Sequence, residues 1–233
     1  MESQKPKIAM YVKRPFGEKL NASFDFLKEN WKLLLKFTTY LLLPLCLIQA
    51  LSLNGLMSGA LSISAIASST AMAASSSSLI AFGSYYGLYM FLYLIGIILL
   101  TSLVYGLIRT YNEREERLQG VTLGMLKPRL FRNIKRLLLM TGACILLVLF
   151  VGIFVGLLVA LTPFTLFLTI PFIIAFSVPL ALLAPIYLFE DITLMEAFKK
   201  TFRLGFATWG GVFLVSLLMG IIANVLQGVT MMP

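Results

Sequence analysis

The sequence predicts an all-α fold: a polytopic helical membrane protein with about five transmembrane helices and three cytoplasmic amphipathic helices at the membrane surface. Of its 233 residues, 59% are hydrophobic and only 12% are charged, and the mean hydropathy is +0.93. Soluble domains carry about 25% charged residues, so this composition is typical of a chain embedded in a bilayer. Spanning backbone must be helical or form a closed barrel, and the continuous apolar runs lack the alternation of barrel strands.

The charged residues fall into three blocks, which are separated by long uncharged stretches. The blocks cover residues 2–36, 109–136 and 190–203, and 19 lysines and arginines outnumber 10 acidic residues. Basic residues favour the cytoplasmic side of a membrane. We therefore expect all three blocks and the N-terminus in the cytoplasm, at the inner face of the cell's plasma membrane. The basic excess then predicts membrane lipids with anionic headgroups as partners, and no nucleic acid.

Five apolar segments are long enough to cross a bilayer, which takes about 20 helical residues. The first of them has no cleavage site near the expected place, so we interpret it as a retained signal-anchor. The predicted spans are residues 33–53, 80–108, 137–161, 164–189 and 206–229.

We predict that the single membrane domain, 1–233, repeats one unit: an interfacial helix followed by a helical hairpin. The third unit has room for one crossing only, so we expect the C-terminus outside and "GVTMMP" to be a truncated end that lacks a sixth span. The predicted parts are a cytoplasmic segment with an interfacial helix (1–32), a first hairpin (33–108), an interfacial segment with a second hairpin (109–189), and an interfacial helix with the fifth span (190–233).

The stretch "EDITLMEAFKKTFRLG" (190–205) shows the interfacial pattern most clearly. Thr193 and Glu196 have the spacing of a capping box, and Glu196 precedes Lys200 at the distance that favours an ion pair. The other side chains divide into an apolar face (Met195, Phe198, Phe202) and a basic face (Lys199, Lys200, Arg203). The adjacent Glu190 and Asp191 are compatible with a cation site or with a helix N-terminus, where negative charge is favoured.

Two groups of residues are candidates for contacts in the membrane. Basic residues of the second and third blocks are candidate lipid-contacting residues: Lys127, Arg129, Arg132, Lys135, Arg136, Lys199, Lys200 and Arg203. Amides within the spans are candidates for polar contacts at mid-membrane: Gln49, Asn224 and Gln227.

Two segments have more than one interpretation. Residues 54–79 are uncharged and rich in serine, alanine and glycine, which is typical of an extracytoplasmic loop or of a re-entrant or small-residue packing segment. The fourth span carries Pro163, Pro171, Pro179 and Pro185. Such a kinked span can frame a transport pathway, although prolines are also tolerated in membrane helices.

The sequence contains no enzyme motif that we recognise. It has no histidine, which excludes His-based triads and most zinc sites, and it has no GxxxxGK loop. Cys46 and Cys144 form no CxxC pair. We therefore predict no catalytic, metal or cofactor-binding residue. The favoured function is a non-enzymatic inner-membrane protein with a scaffold, regulatory or envelope-homeostasis role. The alternative is a permease or lipid-handling transporter that uses the interrupted fourth span.

The segment "APIYLFEDITLMEAFKKTFRLGFATWGGVFL" (184–214) resembles an element of certain bacterial multi-span membrane proteins. These include the membrane domain attached to some glycerophosphodiester phosphodiesterases and the YciC-like proteins. The shared features are a span ending at an acidic residue, a polar helix start, "EAF", basic residues and a Trp-containing span. The resemblance implies a six-helix membrane domain, against the five spans counted here. No phosphodiesterase domain accompanies it, so that activity is not implied.

The loop interpretation of residues 54–79 predicts that Ser68→Cys and Ser76→Cys are both labelled by a membrane-impermeant maleimide added from outside the cell. The measurement requires a background in which Cys46 and Cys144 are serine, and the cysteine-free chain gives the unspecific signal. Protection of both positions would contradict an exposed loop.

Overall fold

Apolar runs of this length must satisfy their backbone internally, and in the computed structural model they do so as helices. The structure describes residues 7–10, 12–68, 76–162 and 164–231, and this part of the chain contains no strand. Its helices are α1 (Phe16–Ser68), α2 (Ser76–Glu113), α3 (Leu123–Leu161), α4 (Thr165–Leu180), α5 (Leu183–Phe189), α6 (Leu194–Ala207) and α7 (Trp209–Met231).

Five helical segments within these residues are long and apolar enough to cross a membrane, which confirms the predicted all-α membrane fold with about five spans. They are Phe16–Leu61, Ile80–Glu113, Leu123–Leu161, Thr165–Phe189 and Trp209–Val229. The chain divides into two compact units, one made of the residues up to 25 together with those from 135 onward, the other of residues 26–134. Each unit is described by itself below.

The first helix differs from the sequence prediction. We expected an interfacial helix, a separate span and then a loop from residue 54, but α1 runs without a break to Ser68 and passes through Pro44. Residues 54–68 contain no proline, so no residue in this stretch forces the helix to end. The charged start of α3 is likewise continuous with its apolar part. Residues 69–75 lie outside the described part of the chain.

Small residues set the contact between α1 and α2 within unit 26–134. A Cβ atom added to Gly55 would lie 2.6 Å from the ring of Tyr85, and one added to Gly59 would lie 3.5 Å from Phe82. Glycines four residues apart occupy one face of a helix and allow a neighbouring helix to approach closely. The small-residue packing interpretation therefore holds for this part of residues 54–79.

The charged segments of unit 26–134 meet at one end of that unit. Glu29 of α1 accepts a hydrogen bond from the Tyr111 hydroxyl (3.1 Å) and pairs with Arg117 (2.7 Å). The hydroxyl of Ser102 on α2 donates to the Leu130 carbonyl of α3 at 2.9 Å. The polar ends of three helices are thus held together by side-chain contacts.

The fourth span is interrupted, as its prolines predict. Between α4 and α5 the N–H of Leu182 donates to the Pro179 carbonyl at 2.9 Å, a tight turn in place of the helical bond. Pro185 has no N–H for the Ala181 carbonyl, and its ring would clash with that carbonyl in a continuous helix. The helix therefore breaks one turn before Pro185. Pro163 lies outside the described residues.

Pro179 also creates the contact that holds α4 against α6 and α7. Because proline lacks an N–H, the Ala175 carbonyl one turn earlier has no donor from residue 179. The indole Nε1 of Trp209 donates to that carbonyl at 3.0 Å. Gly205 lies against the same proline, since a Cβ there would be only 2.6 Å from the Cα of Pro179. Trp209 thus supplies the hydrogen bond that Pro179 cannot donate, and Gly205 allows the close approach to the proline.

Replacing Trp209 with phenylalanine (Trp209→Phe) removes the donor to Ala175 and keeps most of the ring. We expect the free energy of unfolding in detergent to fall by about 1 kcal/mol, the value of one net hydrogen bond. In a Pro179→Ala background the new N–H can bond to Ala175, so the same substitution should cost much less. Trp31→Phe is the matched control, because Trp31 is 56% exposed. If Trp209→Phe lowered the free energy of unfolding equally in both backgrounds, the hydrogen bond between Trp209 and the Ala175 carbonyl would not be the cause.

Candidate functional site

Arg136 of α3 binds the turn between α5 and α6 within its unit. Its Nη2 donates to the carbonyls of Tyr187 (2.6 Å) and Ile192 (2.8 Å), and its Nη1 lies 3.3 Å from Asp191 Oδ1. The guanidinium also lies over the Tyr187 ring, 4.1 Å from its centroid. We call this group, formed by Arg136, Tyr187, Asp191 and Ile192, the Arg136 clasp. Arg136 was predicted to contact lipid, but it directs these donors into the protein.

The turn needs the clasp for two local reasons. The last carbonyls of a helix have no intrahelical donor, and Tyr187 lies in the last turn of α5. Asp191 has a φ of 52°, the left-handed region, which costs a residue with a side chain about 1 kcal/mol or more and which aspartate tolerates better than most. A planar guanidinium can serve both carbonyls and the carboxylate at once.

The predicted capping box of α6 is confirmed. The N–H of Glu196 donates to Thr193 Oγ1 (3.4 Å), and the N–H of Thr193 donates to Glu196 Oε2 (3.0 Å). The hydrogen bond from the Thr193 backbone, followed by that from its side chain, holds the pKa of Glu196 below its ordinary value. The contribution of this cap to stability is therefore present above the ordinary carboxyl pKa and is lost as the pH falls through the lowered one.

The predicted Glu196–Lys200 pair is wrong. Lys200 Nζ lies 2.6 Å from Glu190 Oε2, because the Glu196 carboxylate is turned toward the cap. Glu190 and Asp191 therefore each hold a cation of the protein itself, Lys200 and Arg136 respectively, and neither caps α6. Among the residues that the structure describes, no group of three or more metal-ligating side chains is placed to hold a metal ion.

The outer side of α6 carries a basic surface. A shallow cleft of about 230 Å³ is lined by Glu196, Lys199, Lys200 and Arg203, which we call the α6 basic face. The opposite, buried stripe consists of small residues, Ala197, Thr201 and Gly205. Of the side chains expected on the apolar face, Phe198 and Phe202 are half-buried and Met195 is exposed. The closest helix contact of α6 thus depends on small side chains.

A second cluster lies in unit 26–134, where α2 ends and α3 begins. A cleft of about 270 Å³ is lined by Arg109, Glu113, Pro128, Arg129 and Arg132, which we call the arginine cleft. The two oxygens of Glu113 bind Nε of Arg109 (3.0 Å) and Nη2 of Arg129 (2.6 Å). The cleft brings three guanidinium groups together with one carboxylate.

Sequence reasoning missed Arg109, which was not among the candidate lipid-contacting residues. Its position in the sequence could have identified it. Arg109 is the first charged residue after the uncharged stretch 37–108, where contact with a lipid headgroup is expected. The structure adds the partner, because α3 brings Arg129 to the same carboxylate, Glu113.

The remaining predicted residues are dispersed. Lys127 and Lys135 are exposed on α3. Gln49 is half-buried in α1, Gln227 is exposed in α7, and Asn224 donates to the Gly220 carbonyl of its own helix at 2.8 Å. Neither the α6 basic face nor the arginine cleft is lined by these amides.

Comparison of the chain with family models, curated proteins and solved structures found no match. The resemblance of residues 184–214 to the membrane-domain families named above therefore stays a prediction.

Arg136→Ala would leave two carbonyls and the Asp191 carboxylate without the guanidinium. We expect a loss of about 2–3 kcal/mol in the free energy of unfolding in detergent, the scale of charge-assisted hydrogen bonds. Arg136→Lys should restore only part of it, because an ammonium group cannot reproduce the planar fork.

Lys135→Ala is the matched control for this measurement. It removes one positive charge from the adjacent, exposed position of the same helix. Similar losses for Lys135→Ala and Arg136→Ala would show that general charge, rather than the clasp, is responsible.

Proposed function

We propose that this protein is a non-enzymatic integral protein of a bacterial inner membrane, which acts as a scaffold, regulatory or envelope-homeostasis protein at the anionic cytoplasmic leaflet. The supporting observation is the separation of charge along its helices. Five helical segments have the length and apolarity of spans. Charged residues are confined to the stretch before the first segment, to the ends of the segments and to the connections between them. Basic side chains distributed in this way are suited to contact lipid phosphates, which supports the proposal.

The position of α6 supports contact with the leaflet. It is a 14-residue helix between two candidate spans, Thr165–Phe189 and Trp209–Val229. Its buried stripe packs toward α4, and its basic face lies on the other side. A short amphipathic helix between spans is suited to lie in the plane of the membrane surface.

The interrupted fourth span favours a scaffold over a transporter. Transport sites in broken helices expose unpaired backbone to a cavity. In this span Gly205 packs against Pro179, and the freed carbonyl of Ala175 is bonded to Trp209. Leu183 and Ile186, just after the break, are buried. The break is thus filled by neighbouring helices of the same unit.

The proposal is tested by reconstituting the purified chain in vesicles of phosphatidylcholine and phosphatidylglycerol. We expect release of trapped carboxyfluorescein, and dithionite bleaching of inner-leaflet NBD-phosphatidylglycerol, to match protein-free vesicles. Flux or lipid exchange that rises with protein concentration would overturn the scaffold proposal in favour of the transporter.

The leaflet contact is tested on α6. Lys199→Glu with Arg203→Glu should reduce the amount of phosphatidylglycerol, relative to phosphatidylcholine, that stays bound in native mass spectrometry, by several-fold. The charge-preserving pair Lys199→Arg with Arg203→Lys is the control, and it should retain the wild-type preference. An unchanged preference after charge reversal would remove the α6 basic face from the proposal.

A further inference from the structure

We propose that the outward side of α1 in unit 26–134 is a docking surface for the anionic headgroups of the surrounding lipid leaflet. The surface, which we call the α1 tryptophan–lysine face, consists of exposed residues only: Leu27, Lys28, Trp31, Lys32, Leu35 and Lys36. The proposal goes beyond the function proposed above, because it requires only that α1 is embedded in a membrane and it holds for a scaffold and a transporter alike.

The opposite side of the same helical turns makes the contacts within the unit. Asn30 and Phe37 are buried. The ring of Phe26 meets the ring of Tyr111 edge to face, with the centroids 5.2 Å apart. Residues four and seven positions apart share one side of a helix, so these side chains define the side of α1 that packs against protein. The tryptophan–lysine face lies on the other side.

An apolar stripe runs along this exposed side. Leu27, Trp31 and Leu35 follow one another at intervals of four residues and are 47%, 56% and 61% exposed. A row of large apolar side chains is unfavourable in water. Tryptophan, by contrast, is enriched where a bilayer meets water, because its ring is apolar and its N–H is polar. The stripe is therefore suited to contact lipid.

The position of Trp31 along α1 matches the headgroup region. The candidate span Phe16–Leu61 has 46 residues, about 69 Å at 1.5 Å per residue, which is more than twice the thickness of the hydrocarbon core. Lys36 is the last charged residue before the uncharged stretch 37–108. Trp31 precedes Lys36 by about 7.5 Å along the helix axis, and each headgroup region is about 5–8 Å thick. A helix that enters the hydrocarbon core after Lys36 thus holds Trp31 among headgroups.

A row of lysines beside the stripe favours anionic headgroups. Lys28, Lys32 and Lys36 also recur at every fourth residue. Within the described part of the chain none of them pairs with a carboxylate, and Lys32 Nζ lies 5.9 Å from the centroid of the Trp31 ring. Like charges one turn apart destabilise a helix slightly, so the fold of α1 does not explain this row. Anionic headgroups offset the repulsion.

Glu29 does not neutralise these lysines, although it lies among them in the sequence. Its two oxygens accept hydrogen bonds from the Tyr111 hydroxyl at 3.1 Å and from Arg117 Nη1 at 2.7 Å. The carboxylate thus binds donors that follow α1 in the chain. The positive charge of the tryptophan–lysine face is therefore left for an anion outside the protein.

The test uses the fluorescence of Trp31 in the full chain with Trp209→Phe, because the chain has two tryptophans. It is reconstituted in vesicles with equal amounts of phosphatidylcholine and phosphatidylglycerol, and one lipid or the other carries bromine on its acyl chains. Bromine quenches tryptophan only in close contact. We expect phosphatidylglycerol to be preferred beside Trp31 about fivefold, the scale of one basic residue at an anionic leaflet. Equal quenching by the two lipids, or none by either, would overturn the proposal.

Substitutions of the lysines identify the source of the preference. Lys28→Gln with Lys32→Gln should remove most of it, whereas Lys28→Arg with Lys32→Arg should keep it. Lys127→Gln with Lys135→Gln is the matched control, because it removes the same charge from exposed positions of α3. If this control lowered the preference as much as the glutamine pair in α1, general charge would be responsible and the proposal would be wrong.

Two further measurements separate α1 from the rest of the chain. If Trp209→Phe does not fold, the signal of Trp31 is the difference between the wild type and Trp31→Phe. Lys199→Glu with Arg203→Glu, which reverses the charge of the α6 basic face, should leave the quenching of Trp31 unchanged. A loss as large as that of the glutamine pair in α1 would overturn the tryptophan–lysine face as a distinct surface. The flux assay tests the scaffold independently of these results.

Discussion

Every backbone polar group in an apolar segment must find its partner within the protein, and the rest of this structure depends on that constraint. Hydrogen bonds within the helices satisfy these groups along most of the described chain. At a proline and at a helix end they do not, and side chains supply the missing donors. Pro179 leaves the Ala175 carbonyl without its usual donor, and the indole of Trp209 takes that place. Arg136 supplies donors for carbonyls at the end of α5 and in the turn after it. In both cases the donor belongs to another helix, so the hydrogen bond also holds the two helices together.

The same constraint explains the role of small residues. Where one helix must approach another closely, a side chain on either would keep them apart. Gly205 meets the Cα of Pro179, and Gly55 meets the ring of Tyr85. These glycines set the separation of helices in which large apolar side chains remain outward. Leu161 and Phe167, for example, are about four-fifths exposed, as suits a surface that faces lipid.

The charged residues act in two ways. Some stabilise the fold, as Arg136 does on the α5–α6 turn and as Glu29 does with Tyr111 and Arg117. Others gather on surfaces where positive charge exceeds negative, the α6 basic face and the arginine cleft. Partially exposed ion pairs contribute little to stability by themselves. The ion pairs on these two surfaces therefore add little to the stability of the fold.

The order of residues along the chain was enough to predict the class, the apolar segments, the break in the fourth span and the cap of α6. Each follows from local chemistry: composition, the missing N–H of proline, and the three-residue reach of Thr193 and Glu196. Other features could not be predicted and became visible in the folded chain: α1 continues to Ser68, Lys200 pairs with Glu190, Arg136 binds a turn 51 to 56 residues away, and Arg109 shares Glu113 with Arg129. A long basic side chain reaches several partners of similar energy, and its choice among them depends on which helix packing brings within hydrogen-bonding distance.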